Sequence, residues 1–202
     1  MTRLLAHTFA LLATTVFGAT ICPPTDTSLQ TVTFTGYVMD NFCIDMGTMV
    51  DNPSKKTLVD PQVHSIHCLT EVQSCVQSQY AMLEKLATPT NGALYGVKYQ
   101  LGADGSALAL EYANAAMAKG GSQGFTATVT GYYDGKNPTL QCVSLAAAVN
   151  VDGKDMTLTT ADLVAGAKKG LSTTTIVVLS VLGWFLVWLA GGIRLSAKTA
   201  TK

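Results

Sequence analysis

The reactive side chains of this 202-residue chain concentrate in one short stretch, at His64, His67, Cys68, Glu71 and Cys75. On a helix turning about 100° per residue, all five share a stripe about 100° wide. Imidazole, thiolate and carboxylate at i, i+3 and i+4 spacing bring several donors to one ion. The metal set read from the sequence is therefore His64, His67, Cys68 and Glu71, and Cys43, one loop away, is placed to close it. Soft donors of this kind suit zinc, copper or haem iron over calcium. Covalent haem lacks its Cys-x-x-Cys-His signature, and a thioredoxin-type centre lacks Cys-x-x-Cys. Asp40, Asp45, Asp51 and Asp60 lack the regular spacing of a calcium loop and read as a solvated acidic segment.

The elements that must position these groups follow from periodicity. Residues 31–39 alternate, with Val32, Phe34, Gly36 and Val38 on one side, as in a half-buried strand. A loop rich in Asp, Asn, Gly and Pro runs from Asp40 to about Val63. Ile66, Leu69, Val72, Val76, Tyr80 and Leu83 then recur at helical spacing, which predicts one helix from His64 to about Ala87, ended by Pro89-Thr-Asn-Gly92. Tyr95, Val97, Tyr99 and Leu101 alternate in a second strand, and Ala107 to Lys119 is helical. Gly124–Tyr133 and Thr139–Val151 form a hairpin across Asp134-Gly135, and Asp152-Gly153 turns the chain into a last short strand.

Both ends read as membrane-related. Residues 1–18, with Arg3 before an apolar run, form a signal peptide. Residues 174–193 carry no charge and are long enough to cross a bilayer, with Arg194, Lys198 and Lys202 behind them. A glycolipid-anchor signal competes for that end, since Ala165, Gly166 and Ala167 precede it. The expected organisation is a signal at 1–18, an N-terminal stub at 19–30 and an exported β-barrel-like domain at 31–159. A tether at 160–173, a transmembrane helix at 174–193 and a cytoplasmic tail at 194–202 complete it.

Charge excludes several classes of function. Charged residues make up 13% of the chain, about half the usual share, and the formal net charge is zero. Between Ala19 and Thr173, the expected exported part, stand nine lysines and 13 acidic residues, so it is net −4. Nucleic acid and other polyanions therefore find no basic surface on it.

Export makes disulfides the expected use of the cysteines. On a continuous helix Cys68 and Cys75 stand about 10.5 Å apart along the axis, too far to bridge each other. Each then needs a separate partner. Cys43 and Cys142 are the natural ones, with the connectivity open and Cys22 left odd. A thiol-disulfide oxidoreductase acting through Cys68 or Cys75 is the competing enzymatic reading.

The order of motifs resembles small exported OB-like β-barrel domains of bacterial periplasmic proteins. The resemblance rests on Gly36-Tyr-Val-Met-Asp-Asn-Phe-Cys43, on Cys68 with Cys75, on the Tyr95–Leu101 strand and on Val129-Thr-Gly131. It spans about residues 31–145, with a long insert at 44–63 and a C-terminal apolar segment that those free domains lack. It implies a mainly β (α+β) fold, a small antiparallel barrel with one covering helix; a plain α+β sandwich is the alternative. The function expected is a non-catalytic binding or assembly module, tethered to the bilayer and outside the cytoplasm, handling a soft metal or haem. Its partner would be another membrane or surface protein, met through a face bearing Tyr37, Tyr95, Tyr99, Tyr132 and Tyr133.

Overall fold

Alternation in the sequence becomes a curled sheet whose two faces bury different things. The computed structural model describes Cys22, Pro24 and residues 26–170. Six strands, β1 (Gln30–Asp40), β2 (Tyr80–Thr90), β3 (Ala93–Gln100), β4 (Thr126–Tyr133), β5 (Gln141–Val151) and β6 (Lys154–Thr157), pair antiparallel in the order β3-β2-β1-β4-β5-β6. The fold is thus mainly β, a six-stranded half-barrel. A single parallel bridge, Gln100 to Thr139, links the end of β3 to the approach of β5 and draws the curled sheet towards closure. At Gly36 a Cβ would stand 2.3 Å from the Leu83 carbonyl oxygen, so the β1–β2 approach depends on the missing side chain.

The hairpin turns obey the expected chemistry. Asn91-Gly92 joins β2 to β3 and Asp152-Gly153 joins β5 to β6, all four residues having positive φ. Along β1 the polar positions face out, and hydroxyls bond across strands between Thr33 and Thr130 and between Thr35 and Thr128, at 3.0 and 2.7 Å. The covering helix α4 (Gly102–Ala118) lies chiefly against β5, and its buried residues are mostly small, including Gly105, Ser106, Ala109, Ala113 and Ala116. Small side chains let this covering helix lie close to the sheet. Tyr112 ties it to β5 by donating to the Leu145 carbonyl at 3.0 Å.

One long predicted element is replaced by three. The expected helix over residues 64–87 divides into α2 (Ile66–Glu71), α3 (Gln73–Gln77) and strand β2, after α1 (Asn41–Met46). Val72 breaks the helix with an extended backbone, ψ 108°. Tertiary structure rewards the break: the Leu69 carbonyl accepts the Tyr80 hydroxyl at 2.5 Å in place of a helical N–H. The helical period arose because Tyr80, Ala81, Met82 and Leu83 are all buried. A strand covered on both faces shows no alternation, and its apolar run looks helical.

The ends differ from expectation in one respect. The tether expected at 160–173 begins instead as a helix, α5 (Thr160–Gly170), lying against α4. Thr159 and Asp162 form its capping box: the Thr159 N–H donates to Asp162 at 2.8 Å and the Asp162 N–H to the Thr159 hydroxyl at 3.3 Å. The expected signal peptide (1–18), transmembrane helix (174–193) and tail (194–202) lie outside the described residues. Among the described residues no helix is long and apolar enough to cross a membrane.

Candidate metal centre

The chain between β1 and β2 folds over one end of the sheet and delivers four donors to a point. Asp40 ends β1 and caps α1, its Oδ1 accepting the Cys43 N–H at 2.8 Å. Capping fixes the carboxylate and directs the other oxygen, Oδ2, inward. Cys43, in the first turn of α1, is held from behind by Thr57, whose buried hydroxyl donates to the Cys43 carbonyl at 2.7 Å. That bond pins the long 47–60 loop to the site.

His64 follows a 3-10 turn at Pro61–Val63, and its carbonyl accepts the Gly124 N–H at 2.8 Å. Gly124 has φ +66°, and a Cβ there would lie 2.6 Å from the Gln62 carbonyl oxygen. Only glycine combines that conformation with that approach. Cys68 comes from α2, which begins at Ser65: the Ser65 hydroxyl accepts the Cys68 N–H at 3.0 Å and donates to Asp51.

The donor atoms of Asp40, Cys43, His64 and Cys68 all lie within 4.8 Å of one another, and all four residues are buried. The sulfurs of Cys43 and Cys68 are 3.8 Å apart. A tetrahedral ion with bonds of about 2.3 Å to sulfur separates two thiolates by about 3.8 Å. His64 Nε2 stands 3.0 Å from Asp40 Oδ2. Yet neither atom is lined up for a hydrogen bond, and His64 Nδ1 has no protein partner either. As a buried ion pair the two groups offset each other's charge, and a metal ion bound there would displace the His64 proton and take a lone pair from each.

The surroundings polarise the group. Burial alone would lower the His64 imidazole, but Asp40 beside it, helped by Cys43, more than reverses this and raises its pKa to about 9. Burial pushes the Asp40 carboxyl up, and His64 with the Cys43 N–H brings it below its ordinary value. The Cys68 thiol lowers Cys43 to about 6, against burial and with His64 assisting. Cys68 itself is pushed up by that same contact and by burial. Burial, foremost, lifts Cys75 to about 12.

Sequence-predicted residues separate here. His64 and Cys68 are brought together, whereas His67 and Glu71 are exposed and pair with each other at 3.0 Å on the outer face of α2. The five-residue stripe is split because α2 is only six residues long and its inner face is narrow. Asp40, expected in a solvated acidic loop, is fully buried. The signal available for it was its place three residues before Cys43, where an N-cap carboxylate meets the cysteine N–H.

The disulfide expectation is also corrected. Cys22 bonds Cys142, while Cys43, Cys68 and Cys75 are thiols, all buried. Cys142 belongs to β5, two strands from β1 in the sheet, and the N-terminal segment reaches it there. Cys68 and Cys75, expected to be kept apart by a helix, lie with their sulfurs 2.9 Å from each other because Val72 interrupts it.

The tyrosines do not share one face. Tyr37 and Tyr95 meet edge to face at 5.6 Å and pack against the cysteine cluster. Tyr99 contacts Phe34 and Tyr133 in the main core. Tyr132 is half-buried in the ladder between Thr31 and Gln141.

No protein-family model, curated protein or solved structure matches the chain.

Proposed function

We propose that the chain is a membrane-tethered, extracytoplasmic, non-catalytic module that binds one zinc ion through Asp40, Cys43, His64 and Cys68. The observation that carries this reading is the convergence of four buried donors whose Asp40 and His64 atoms lack aligned partners. Two thiolates, an imidazole and a carboxylate within 4.8 Å of one another favour zinc among the metals expected. Full burial leaves no open coordination position for a substrate, which favours holding or sensing over catalysis. Haem loses support because His64 is enclosed at 1% exposure and His67 is turned away.

The OB-like reading of the barrel draws support from the strand order, the helix between β3 and β4 and the parallel Gln100–Thr139 bridge. OB folds bind through the loop between their first two strands among others, and all four donors lie at the end of β1 or within that connection here. Export is supported by the Cys22–Cys142 disulfide, since oxidised pairs persist outside the cytoplasm. The oxidoreductase alternative loses support: Cys68 and Cys75 are both fully buried, with raised thiol pKa values, and thiolate character with access is what such enzymes need.

The full chain, purified under reducing conditions without a polyhistidine tag, is expected to hold one zinc per molecule. Cobalt substitution should give the visible spectrum of a tetrahedral site with thiolate charge-transfer bands. A reduced protein that binds no zinc, and whose unfolding is unchanged by added zinc, refutes the reading. Protease applied to intact cells should remove the folded body, and protection of the body there refutes the topology.

A further inference from the structure

Cys75 is the one thiol of the cluster outside the four-donor set, yet its sulfur lies closest to that of a donor, 2.9 Å from Cys68 against 3.8 Å between Cys68 and Cys43. All three sulfurs are buried in one apolar patch with Met39 and Leu83. Two thiols in contact within an oxidising compartment are driven to disulfide unless one is otherwise engaged. A zinc ion would engage Cys68. The same sulfur thus has two exclusive partners, the metal and Cys75.

We propose that Cys68 and Cys75 form an oxidation-operated release for the metal: a peroxide joins them as a disulfide, and the ion leaves. This rests on the zinc reading above. The metal-held Cys68 thiolate attacks one oxygen of hydrogen peroxide, breaking the O–O bond and forming a sulfenic acid, while hydroxide takes up a proton and leaves as water. The Cys75 thiol then attacks the Cys68 sulfur, forming the S–S bond and expelling a second water. One peroxide gains two electrons, the two sulfurs lose one each, one proton is consumed, and zinc departs unchanged in charge. Asp40, Cys43 and His64 remain, with too few donors to hold a closed tetrahedral site.

The arrangement depends on the break at Val72, which turns α3 back so that residue 75 meets residue 68. Peroxide is small and uncharged, which suits a buried pair that a protein disulfide cannot reach. Reversal requires a thiol reductant, so the site acts as a store that empties under oxidation and refills on reduction.

The test uses the full reduced chain loaded with zinc, then treated with hydrogen peroxide while a chromogenic chelator reports free zinc. Wild type should release zinc in step with a Cys68–Cys75 crosslink seen by peptide mapping. Cys75→Ser should bind zinc as wild type does, form no such crosslink and release the ion at least about tenfold more slowly, having lost its neighbouring thiol. Release from Cys75→Ser at the wild-type rate, or a Cys43–Cys68 crosslink in wild type, overturns the inference and leaves the zinc site standing. Absence of zinc from reduced wild type overturns both. Should Cys75→Ser fail to load, the wild-type map decides: a Cys68–Cys75 bond matching the zinc released supports the switch, and any other pairing overturns it.

Discussion

His64 Nε2 and Asp40 Oδ2 face each other at 3.0 Å in the interior, close enough to pair as charges but out of line for a hydrogen bond. Removing one member leaves the other buried and uncompensated, a loss of about 3–5 kcal/mol in comparable pairs. Asp40→Asn should therefore destabilise the zinc-free protein by a few kcal/mol and abolish its stabilisation by zinc. Urea unfolding with and without zinc measures both. A variant that zinc still stabilises like wild type would remove Asp40 from the donor set.

The Tyr80 hydroxyl serves the carbonyl that the break after α2 leaves open. Tyr80→Phe keeps the ring in the core but strands the Leu69 oxygen, at a cost of about 1–3 kcal/mol. Urea midpoints should fall with an unchanged slope. Cys68 should also lose part of its orientation, so zinc affinity falls with stability.

Breaking the Cys22–Cys142 bridge opens a connection spanning 120 residues. Cys142→Ser should cost about 2–4 kcal/mol, with the mechanism chiefly in the unfolded chain. Zinc stoichiometry should stay at one per chain, because β5 is two strands from β1, where the donors gather. Loss of zinc on this substitution would couple two parts of the fold that are separate here.

Asp162 caps α5, and the Thr159 N–H, then the Thr159 hydroxyl and Lys119, hold its carboxyl down at about 2. A depressed acid contributes stability above its unfolded pKa of 3.8, and that contribution is lost as pH falls towards 2. Amide protection factors in α5, taken against the intrinsic exchange rate at each pH, should accordingly fall between pH 4 and about 2. Asp162→Asn should flatten that dependence, and an unchanged profile would show that the cap does not hold the helix.

Much of the sheet was legible in the residues themselves. Alternation over 31–39 reports a strand with one face covered, and Asp-Gly beside a short polar run reports the β5–β6 hairpin, because both are local consequences of backbone geometry. The clustering of His64, Cys68 and Cys75 along the chain likewise marks the reactive region. Tertiary structure decided the rest. Burial of both faces at Tyr80–Leu83 erased the alternation that would have announced β2. Without that strand the break at Val72 was invisible, and with it the contact of Cys68 with Cys75. Asp40 carries only a local capping signal in the sequence; the folding of α1 and the approach of His64 from the far end of a long loop bury it. Periodicity records which side of an element is covered, but not which distant segment covers it, and a four-donor site is made of such segments.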